Sequence, residues 1–115
     1  PAEPTASAWT YLLDGVAVVR AIGEFDVYTG PVLGRELDRA AASGRRAVLV
    51  DLGRVSFMDL GGLAPLRAAA VDTAGGDHRL LLVQVPGPVQ RLIDVSGAAG
   101  EMAAAAATGE VRRTG

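Results

Sequence analysis

The hydrophobic pattern at the start of the chain predicts a β-hairpin. Within residues 8–26, two mostly apolar stretches flank the dipeptide Asp14-Gly15, and an Asp-Gly pair in this setting favours a tight turn. In the second stretch both alternating faces are apolar as far as Arg20. A strand with two apolar faces is typical of a sheet interior, so we expect the second strand to be an inner strand.

Three later stretches place apolar residues on one side of a helix. They begin near Pro31, Asp59 and Pro88, and Thr29 or Gly30 precedes the first as its cap. Proline fits the first helical turn, an aspartate oxygen caps free N–H groups, and glycine ends a helix. The predicted ends are Gly44, Gly75 with Gly76, and Gly97. The predicted buried positions are Leu33, Leu37, Ala40 and Ala41 in the first helix and Leu63, Leu66, Ala70 and Ala74 in the second; the third helix places Val89, Leu92, Ile93 and Ser96 along one face.

Two further apolar runs, AVLVDL at residues 47–52 and RLLLVQV at residues 79–85, lack the alternation of a half-exposed strand. Such runs indicate strands buried on both faces, so we expect residues 48–50 and 81–83 to be buried. The order β-β-α-β-α-β-α predicts an α/β fold. The expected architecture is a mixed sheet of four or five strands covered by three to four helices.

No internal repeat and no linker divides the chain, so we predict one domain over residues 1–115 with its core at about 8–97. In the tail, residues 98–115, the alanines fit either the end of a strand or a short helix. Pro65 lacks the N–H that would bond the carbonyl of Gly61. We therefore expect the first turn of the second helix to be kinked or displaced.

The composition narrows the classes of function. The 115 residues carry a formal net charge of −2 and contain no cysteine. This charge attracts no nucleic acid, and the lack of cysteine excludes a disulfide framework and suits the cytoplasm. No apolar run approaches the ~20 residues that span a bilayer, and residues 1–11 lack the pattern of a signal peptide. We expect a cytoplasmic protein without a nucleic-acid partner or membrane insertion.

Few side chains offer catalytic or metal-binding chemistry. His78 is the single histidine and lies in a turn, so a transition-metal site would lack the usual histidine and cysteine ligands. No serine stands in a G-x-S-x-G motif, so a catalytic triad lacks its usual nucleophile. Asp26, Asp51 and Asp59 fall near the ends of predicted strands, where three carboxylates could bind Mg²⁺. Acidic caps at helix starts are the commoner role. We predict no enzyme activity, no cofactor and no metal.

Three segments follow one another at a recognisable spacing: VVRAIGEFD, RRAVLVDLGRVSFMDLGGLAPL and GGDHRLLLVQVPGPVQRLIDVSG. Together they resemble the STAS family, the domain of bacterial anti-sigma factor antagonists and of the cytoplasmic tails of sulfate-type transporters. The resemblance extends over residues 16–97. The acidic position that the family carries in a Gly-x-hydrophobic-Asp motif matches Asp26.

The turn FMDLGGLAPL, residues 57–66, departs from this resemblance at two positions. In the family it reads Asp-Ser-Ser-Gly or Asp-Ser-Thr-Gly followed by Leu, and a kinase-type anti-sigma factor phosphorylates a hydroxyl there. Aligned on Asp59, the two hydroxyl positions hold Leu60 and Gly61, and the next two residues match. The resemblance therefore implies a docking turn without a phospho-acceptor. We expect no phosphorylation in this turn, nor at Ser56 in the preceding strand.

The resemblance also implies a protein partner, an anti-sigma factor of the ATPase-kinase type. Loops at the carboxyl ends of strands form the crevice of an open α/β sheet, and glycines there let a partner's backbone approach. An exposed Leu60 buried by a partner contributes about 1.5 to 3 kcal/mol; alternatively this side chain packs into the core. The expected partner-binding residues are Asp26, Asp59, Leu60, Gly61, Gly62, Leu63 and Arg67.

Other interpretations stay open. The chain also fits the STAS domain of a sulfate-type anion transporter, or an accessory or scaffold subunit of a lipid-transport or stressosome-like assembly, and a dimer is compatible with each. Compared with the family, the C-terminal segment is too short for the family's last helix. We expect that helix to be missing or degenerate.

Overall fold

Backbone hydrogen bonding arranges the chain into alternating strands and helices. The computed structural model describes residues 5–114, with the side chains of residues 5–107. The strands are β1 (Ala6–Leu13), β2 (Val16–Phe25), β3 (Ala47–Met58) and β4 (Arg79–Val83). The helices are α1 (Gly30–Ala42), α2 (Leu60–Ala74), α3 (Gly87–Ser96) and α4 (Ala99–Thr114). The sheet order is β1-β2-β3-β4, with β1 antiparallel to β2 and the other pairs parallel. The predicted mixed α/β sheet is confirmed.

The N-terminal hairpin forms as predicted. Leu13 pairs with Val16 across a turn in which Asp14 has a φ of 53°, a left-handed conformation that aspartate tolerates better than most residues. Strand β2 then lies between β1 and β3, and Ala17 and Val19 are fully buried. The prediction of an inner strand is therefore confirmed.

The described helices pack against one face of the sheet. Alternate side chains of the inner strands, such as Val19 in β2 and Val50 in β3, share one core with the buried residues of the helices. Val18 points the other way and lies outside that core, since neighbouring side chains on a strand project to opposite faces. We call the face turned away from the helices the open face. Its residues are Ser7, Trp9, Tyr11, Leu13, Val16, Val18, Arg20, Ile22, Glu24, Ala47, Leu49, Asp51, Arg54, Phe57, Arg79, Leu81 and Val83.

Strand β4 lies at the edge of the sheet, and this corrects one expectation. Leu80 is buried, but residues 81–83 are half-buried, and so is Leu49 in β3. The prediction of burial is therefore wrong at these positions, although both apolar runs do form strands. An edge strand has one neighbour, and this sheet has helices on one face, so a continuous apolar run here does not mean two covered faces.

Helices α1 and α2 begin where predicted, but their buried sides differ at one residue each. Thr29 stands at the N-cap of α1 and Asp59 at that of α2. Ala41 and Ala74, predicted to be buried, are exposed. In α2 the buried side continues at Thr73, which is 2% exposed, because the core-facing positions of a helix drift with its period of 3.6 residues.

The C-terminal helix is present, which corrects the expectation that it is missing or degenerate. Helix α4 follows Gly97, whose φ of 84° ends α3. Ala98 and Ala105 are fully buried in the common core, and the Nε of Arg79 donates to the carbonyl of Ala106 at 2.7 Å. The alanine-rich segment therefore forms a helix packed beside β4, and the alternative of a strand end is excluded. Gly115 lies outside the described residues.

Pro65 does not interrupt helix α2, which continues in one piece from Leu60 to Ala74. The carbonyl of Gly61, which loses its helical partner at Pro65, lies close to Gly30 of α1, where a Cβ would come within 2.9 Å of it. Pro65 itself packs near Gly34. The two helices therefore approach closely at this point through small residues, and a bend at Pro65 stays a prediction.

Candidate protein-docking site

The turn after β3 meets the loop after β2 at one edge of the sheet. Parallel strands end at the same edge, and here the N–H of Asp59 donates to the carbonyl of Phe25 at 3.2 Å. Asp26 directly follows Phe25. The structure thus brings together the two acidic positions that the sequence analysis placed beside the docking turn. We call this edge, with loop 26–29 and turn 59–62, the rim.

Asp26 organises the loop that precedes α1. Its Oδ1 accepts hydrogen bonds from the N–H of Tyr28 at 2.9 Å and from the N–H of Thr29 at 3.0 Å. The backbone N–H of Thr29, assisted by that of Tyr28 and by the Thr29 hydroxyl, holds the pKa of the Asp26 carboxyl below its ordinary value, since hydrogen bonds to a carboxylate favour its charged form. Asp26 therefore has a local role in shaping the rim.

Asp59 has a matching role at the start of α2. Its backbone is extended, with φ −113° and ψ −170°, and its side chain accepts from the N–H of Gly62 at 3.1 Å. Its carbonyl accepts from the N–H of Leu63 at 2.9 Å. The aspartate thereby satisfies donors at the helix start that have no partner inside the helix.

The two glycines of the turn allow two segments of this chain to pack closely together. The sequence analysis had instead expected them to let a partner's backbone approach. A Cβ at Gly61 would lie 2.6 Å from the backbone nitrogen of Val27, and a Cβ at Gly62 would collide with the carbonyl oxygen of Phe25. Gly62 is buried and Gly61 half-buried. Because these two residues have no side chains, the loop after β2 can pack directly against the first turn of α2.

Leu63 and Arg67 also have roles inside the fold. Leu63 is fully buried in the core, so its side chain does not lie on the docking surface as predicted. The Nε of Arg67 donates to Oε1 of Glu101 at 2.9 Å, and its Nη1 donates to the carbonyl of Ser96 at 3.4 Å. Arg67, which is half-exposed, therefore connects α2 to the C-terminal part of the domain and is not a free cation on the rim.

Leu60 is 61% exposed, which decides between the two alternatives for this side chain: it lies at the surface. Val27, 65% exposed, lies against Gly61, and Tyr28 beside it is 87% exposed. We call Leu60, Val27 and Tyr28 the rim patch. Val27 and Tyr28 were not among the predicted site residues, although two large apolar residues in a polar loop are a usable signal.

The carboxylates do not converge on a metal site. Asp51 lies away from the rim, where its side chain contacts Arg20 at 3.3 Å and accepts from the N–H of Gly53 at 2.9 Å. Strand β3 continues to Met58, so Asp51 is not at the strand end where the sequence analysis placed it. Across residues 5–107, no three histidine or acidic side chains are close enough together to hold a metal ion.

His78 contacts Thr73, with 3.2 Å between Nε2 and Oγ1, and it is half-buried in its turn. This contact lies at the end of α2 that is remote from Asp59.

Among the helices that the structure describes, none is both long and apolar enough to cross a membrane.

A protein-family model described as "Mlab, STAS domain" matches residues 11–109. This match covers most of the chain, and the sheet order, the helices and the rim fit the resemblance seen in the sequence. The chain belongs to the STAS family.

Several similar proteins within the family are anti-sigma factor antagonists. The anti-sigma F factor antagonist of Paenibacillus polymyxa is 31% identical over 86 residues, which are 72% of this chain and 72% of the relative. The anti-sigma-B factor antagonist of Staphylococcus aureus is 33% identical over 79 residues, 69% of this chain and 73% of the relative. The crystal structure of an anti-sigma factor antagonist from Mycobacterium paratuberculosis aligns with a TM-score of 0.68 at 28% identity, covering 83% of this chain and 80% of the other.

Proposed function

We propose that this STAS domain is a cytoplasmic anti-sigma factor antagonist that binds an anti-sigma factor of the ATPase-kinase type through the rim patch. It acts by binding and has no catalytic role. The names of its relatives support an anti-sigma factor as the partner, and none of the findings favours the alternative of a transporter domain. Binding is not switched by phosphorylation in the usual turn.

The exposure of Leu60 is the observation that carries this proposal. Leu60 occupies a position where the family presents a hydroxyl; its side chain is exposed, and the next residue, Gly61, lies against Val27. Burial of an exposed leucine by a partner contributes up to about 1.5 to 3 kcal/mol. Aromatic side chains are frequent anchors at protein interfaces, and Tyr28 supplies one beside it. Three exposed apolar side chains on a shaped rim form the centre of a small interface.

The same position explains why phosphorylation does not control the interaction. A phosphoryl group would add about 1.5 to 2 negative charges beside Asp59, but neither Leu60 nor Gly61 has a hydroxyl to receive it. A leucine also keeps the rim patch apolar under all conditions. The proposed interaction therefore depends on the amounts of the two proteins and on their affinity.

A pull-down from the native host, followed by mass spectrometry, identifies the partner. We expect the wild-type chain to retain an anti-sigma factor of the ATPase-kinase type. Leu60→Asp places a charge in the contact and should abolish retention. The matched control is Val71→Asp, because Val71 is 56% exposed on the same helix and about 16 Å further along its axis.

Calorimetry with the purified partner then gives the size of the effect. We expect Leu60→Asp to weaken binding by about tenfold or more, which corresponds to about 1.4 kcal/mol per factor of ten, while its melting temperature stays near that of the wild type. Equal losses in Leu60→Asp and Val71→Asp would place the interface away from the rim. Retention of a transporter or a lipid-transport component in place of an anti-sigma factor would overturn the proposed partner.

A further inference from the structure

We propose that the open face of the sheet is the contact between two copies of this chain. The proposal is independent of the rim patch and of the anti-sigma factor partner. It rests on the composition of the open face, its charges and its size.

The middle of the open face carries apolar side chains on each of the four strands. On β1, Trp9 is 40% exposed, Tyr11 38% and Leu13 60%. The half-buried side chains of Leu49 in β3 and Leu81 in β4 continue the surface across the sheet. Since the described helices pack on the other face, these side chains have no cover within the described chain. A contiguous apolar surface of this kind marks an interaction site more often than a solvated face.

The central charge pair of this face is complementary to itself. Arg20 in β2 and Asp51 in β3 are paired neighbours in the sheet, and their side chains approach to 3.3 Å. This pair is neutral and lies at the middle of the face, whereas Arg54, Arg79 and Glu24 lie toward its ends. In a two-fold dimer the same patch serves both copies. Consider a two-fold axis that lies midway between the two sheets, parallel to the strands and above the gap between β2 and β3. It places Arg20 of each copy opposite Asp51 of the other.

One N–H of Arg20 has no hydrogen-bond acceptor within the described part of the chain. Its Nε is shielded from solvent and has no aligned acceptor, although Asp51 lies nearby. The guanidinium also lies over the ring of Tyr11, 5.9 Å from its centroid, so the side chain is held in place by an aromatic neighbour. A buried donor without an acceptor is costly. A second copy's carboxylate would not reach the shielded Nε, but it would meet the terminal nitrogens of the guanidinium, since the Arg20 side chain is 38% exposed.

The size of the face predicts a weak dimer. The four strands, with five residues in β4 and eight in β1, span a surface of about 300 to 500 Å² at strand spacings of about 4.8 Å and a rise of about 3.3 Å per residue. A standard interface buries about 800 Å² per partner. The face therefore fits a weak dimer that is populated only at high protein concentration, with the two sheets packed face to face at about 10 Å.

Sedimentation equilibrium from about micromolar to about millimolar concentration tests the proposal. We expect a monomer–dimer equilibrium in the wild type. Trp9 is the single tryptophan of the chain and lies on the open face. Its emission should shift to longer wavelength on dilution, in step with the mass, because dissociation exposes the indole to water.

Leu13→Glu and Leu12→Glu form a matched pair. Leu12 and Leu13 are adjacent, 52% and 60% exposed, and point to opposite faces of the sheet. Leu13→Glu should weaken the dimer by about tenfold or more, whereas Leu12→Glu should change it by less than about threefold, the range of ordinary surface substitutions. Arg20→Asp and Asp51→Arg should each weaken it, and the double variant Arg20→Asp/Asp51→Arg should restore it.

Three results would overturn the proposal. The first is a chain that stays monomeric over the whole concentration range. The second is a dimer weakened equally by Leu12→Glu and Leu13→Glu, which indicates pairing through the β1 edge. The third is a dimer lost in Leu60→Asp and kept in Leu13→Glu, which assigns the contact to the rim. Melting curves for every variant separate loss of association from loss of folding.

Discussion

Gly62 packs directly against Phe25, so closely that a Cβ at residue 62 would lie 2.6 Å from the carbonyl carbon of Phe25. This contact joins the start of α2 to the end of β2. Both residues are buried, and the same carbonyl accepts the N–H of Asp59. The rim is thus held in place from inside the domain, and the exposed residues of the rim patch project from a rigid base.

The close packing predicts that Gly62→Ala destabilises the fold. The added methyl group has a backbone carbonyl in its way, and overpacking of this kind costs about 1 to 3 kcal/mol. Urea unfolding measures the change. The control is Gly100→Ala in α4, where a Cβ meets nothing within 4 Å and alanine should stabilise the helix by about 0.5 to 1 kcal/mol. A loss of stability in both variants would show that the contact at Gly62 is not its cause.

We predict that the wild-type turn takes no phosphate from its cognate kinase and ATP. Leu60→Ser restores a hydroxyl at an exposed position and should fold normally. Gly61→Ser should lose stability, because its Cβ would lie 2.6 Å from the backbone nitrogen of Val27. Mass spectrometry of residues 57–63 and melting curves check these outcomes. A phosphate on Ser56 would mean that the acceptor has moved upstream.

Tyr28→Ala should weaken binding to the anti-sigma factor by about tenfold or more, as expected when an interface loses an aromatic anchor. The fold should be unaffected, because Tyr28 is 87% exposed. Val95→Ala is the control, since Val95 is 83% exposed on α3, outside the rim patch. Calorimetry with the purified partner measures both. An unchanged affinity for Tyr28→Ala would remove this residue from the interface.

The ion pair between Arg67 and Glu101 should anchor α4 weakly. Its side chains are 38% and 30% exposed, and pairs with this much solvent contribute about 0.2 to 1 kcal/mol. Glu101→Gln should therefore increase hydrogen exchange in α4 more at low salt than at high salt, because salt screens the pair. The control is Glu36→Gln, which breaks the pair with Arg39 on α1. If α4 exchanges equally fast in Glu101→Gln and in the wild type at every salt concentration, the ion pair does not stabilise α4.

Asp26 should make stability depend on pH in the acid range. Hydrogen bonds from loop 26–29 lower the pKa of its carboxyl from 3.8. A lowered pKa in the folded state contributes stability above pH 3.8, and this contribution disappears as the pH falls through the lowered value. Asp26→Asn should therefore melt at a lower temperature than the wild type at pH 7, and the difference should narrow below pH 3.8. A constant difference across this range would mean that the charge is not responsible.

Short-range patterns in the sequence determined most of the secondary structure of this protein. Asp14-Gly15 specifies a turn, Asp59 caps a helix, and Gly44 and Gly97 end helices with φ values of 74° and 84°. Each of these effects acts within a few residues, so it can be predicted without the rest of the fold. Helix α4 escaped prediction because a run of alanines has little contrast between a buried and an exposed side.

The tertiary structure alone decided how the candidate site is built. Arg67 finds its partner 34 residues away, and Gly61 meets the loop at Val27, which is equally remote in sequence. The exposure of Leu60 depends on how closely that loop approaches. Leu81 is half-buried because its strand lies at the sheet edge. Each outcome depends on which segments become neighbours, and a pattern of apolar and polar residues along the chain does not determine that, because packing partners are chosen by the whole fold.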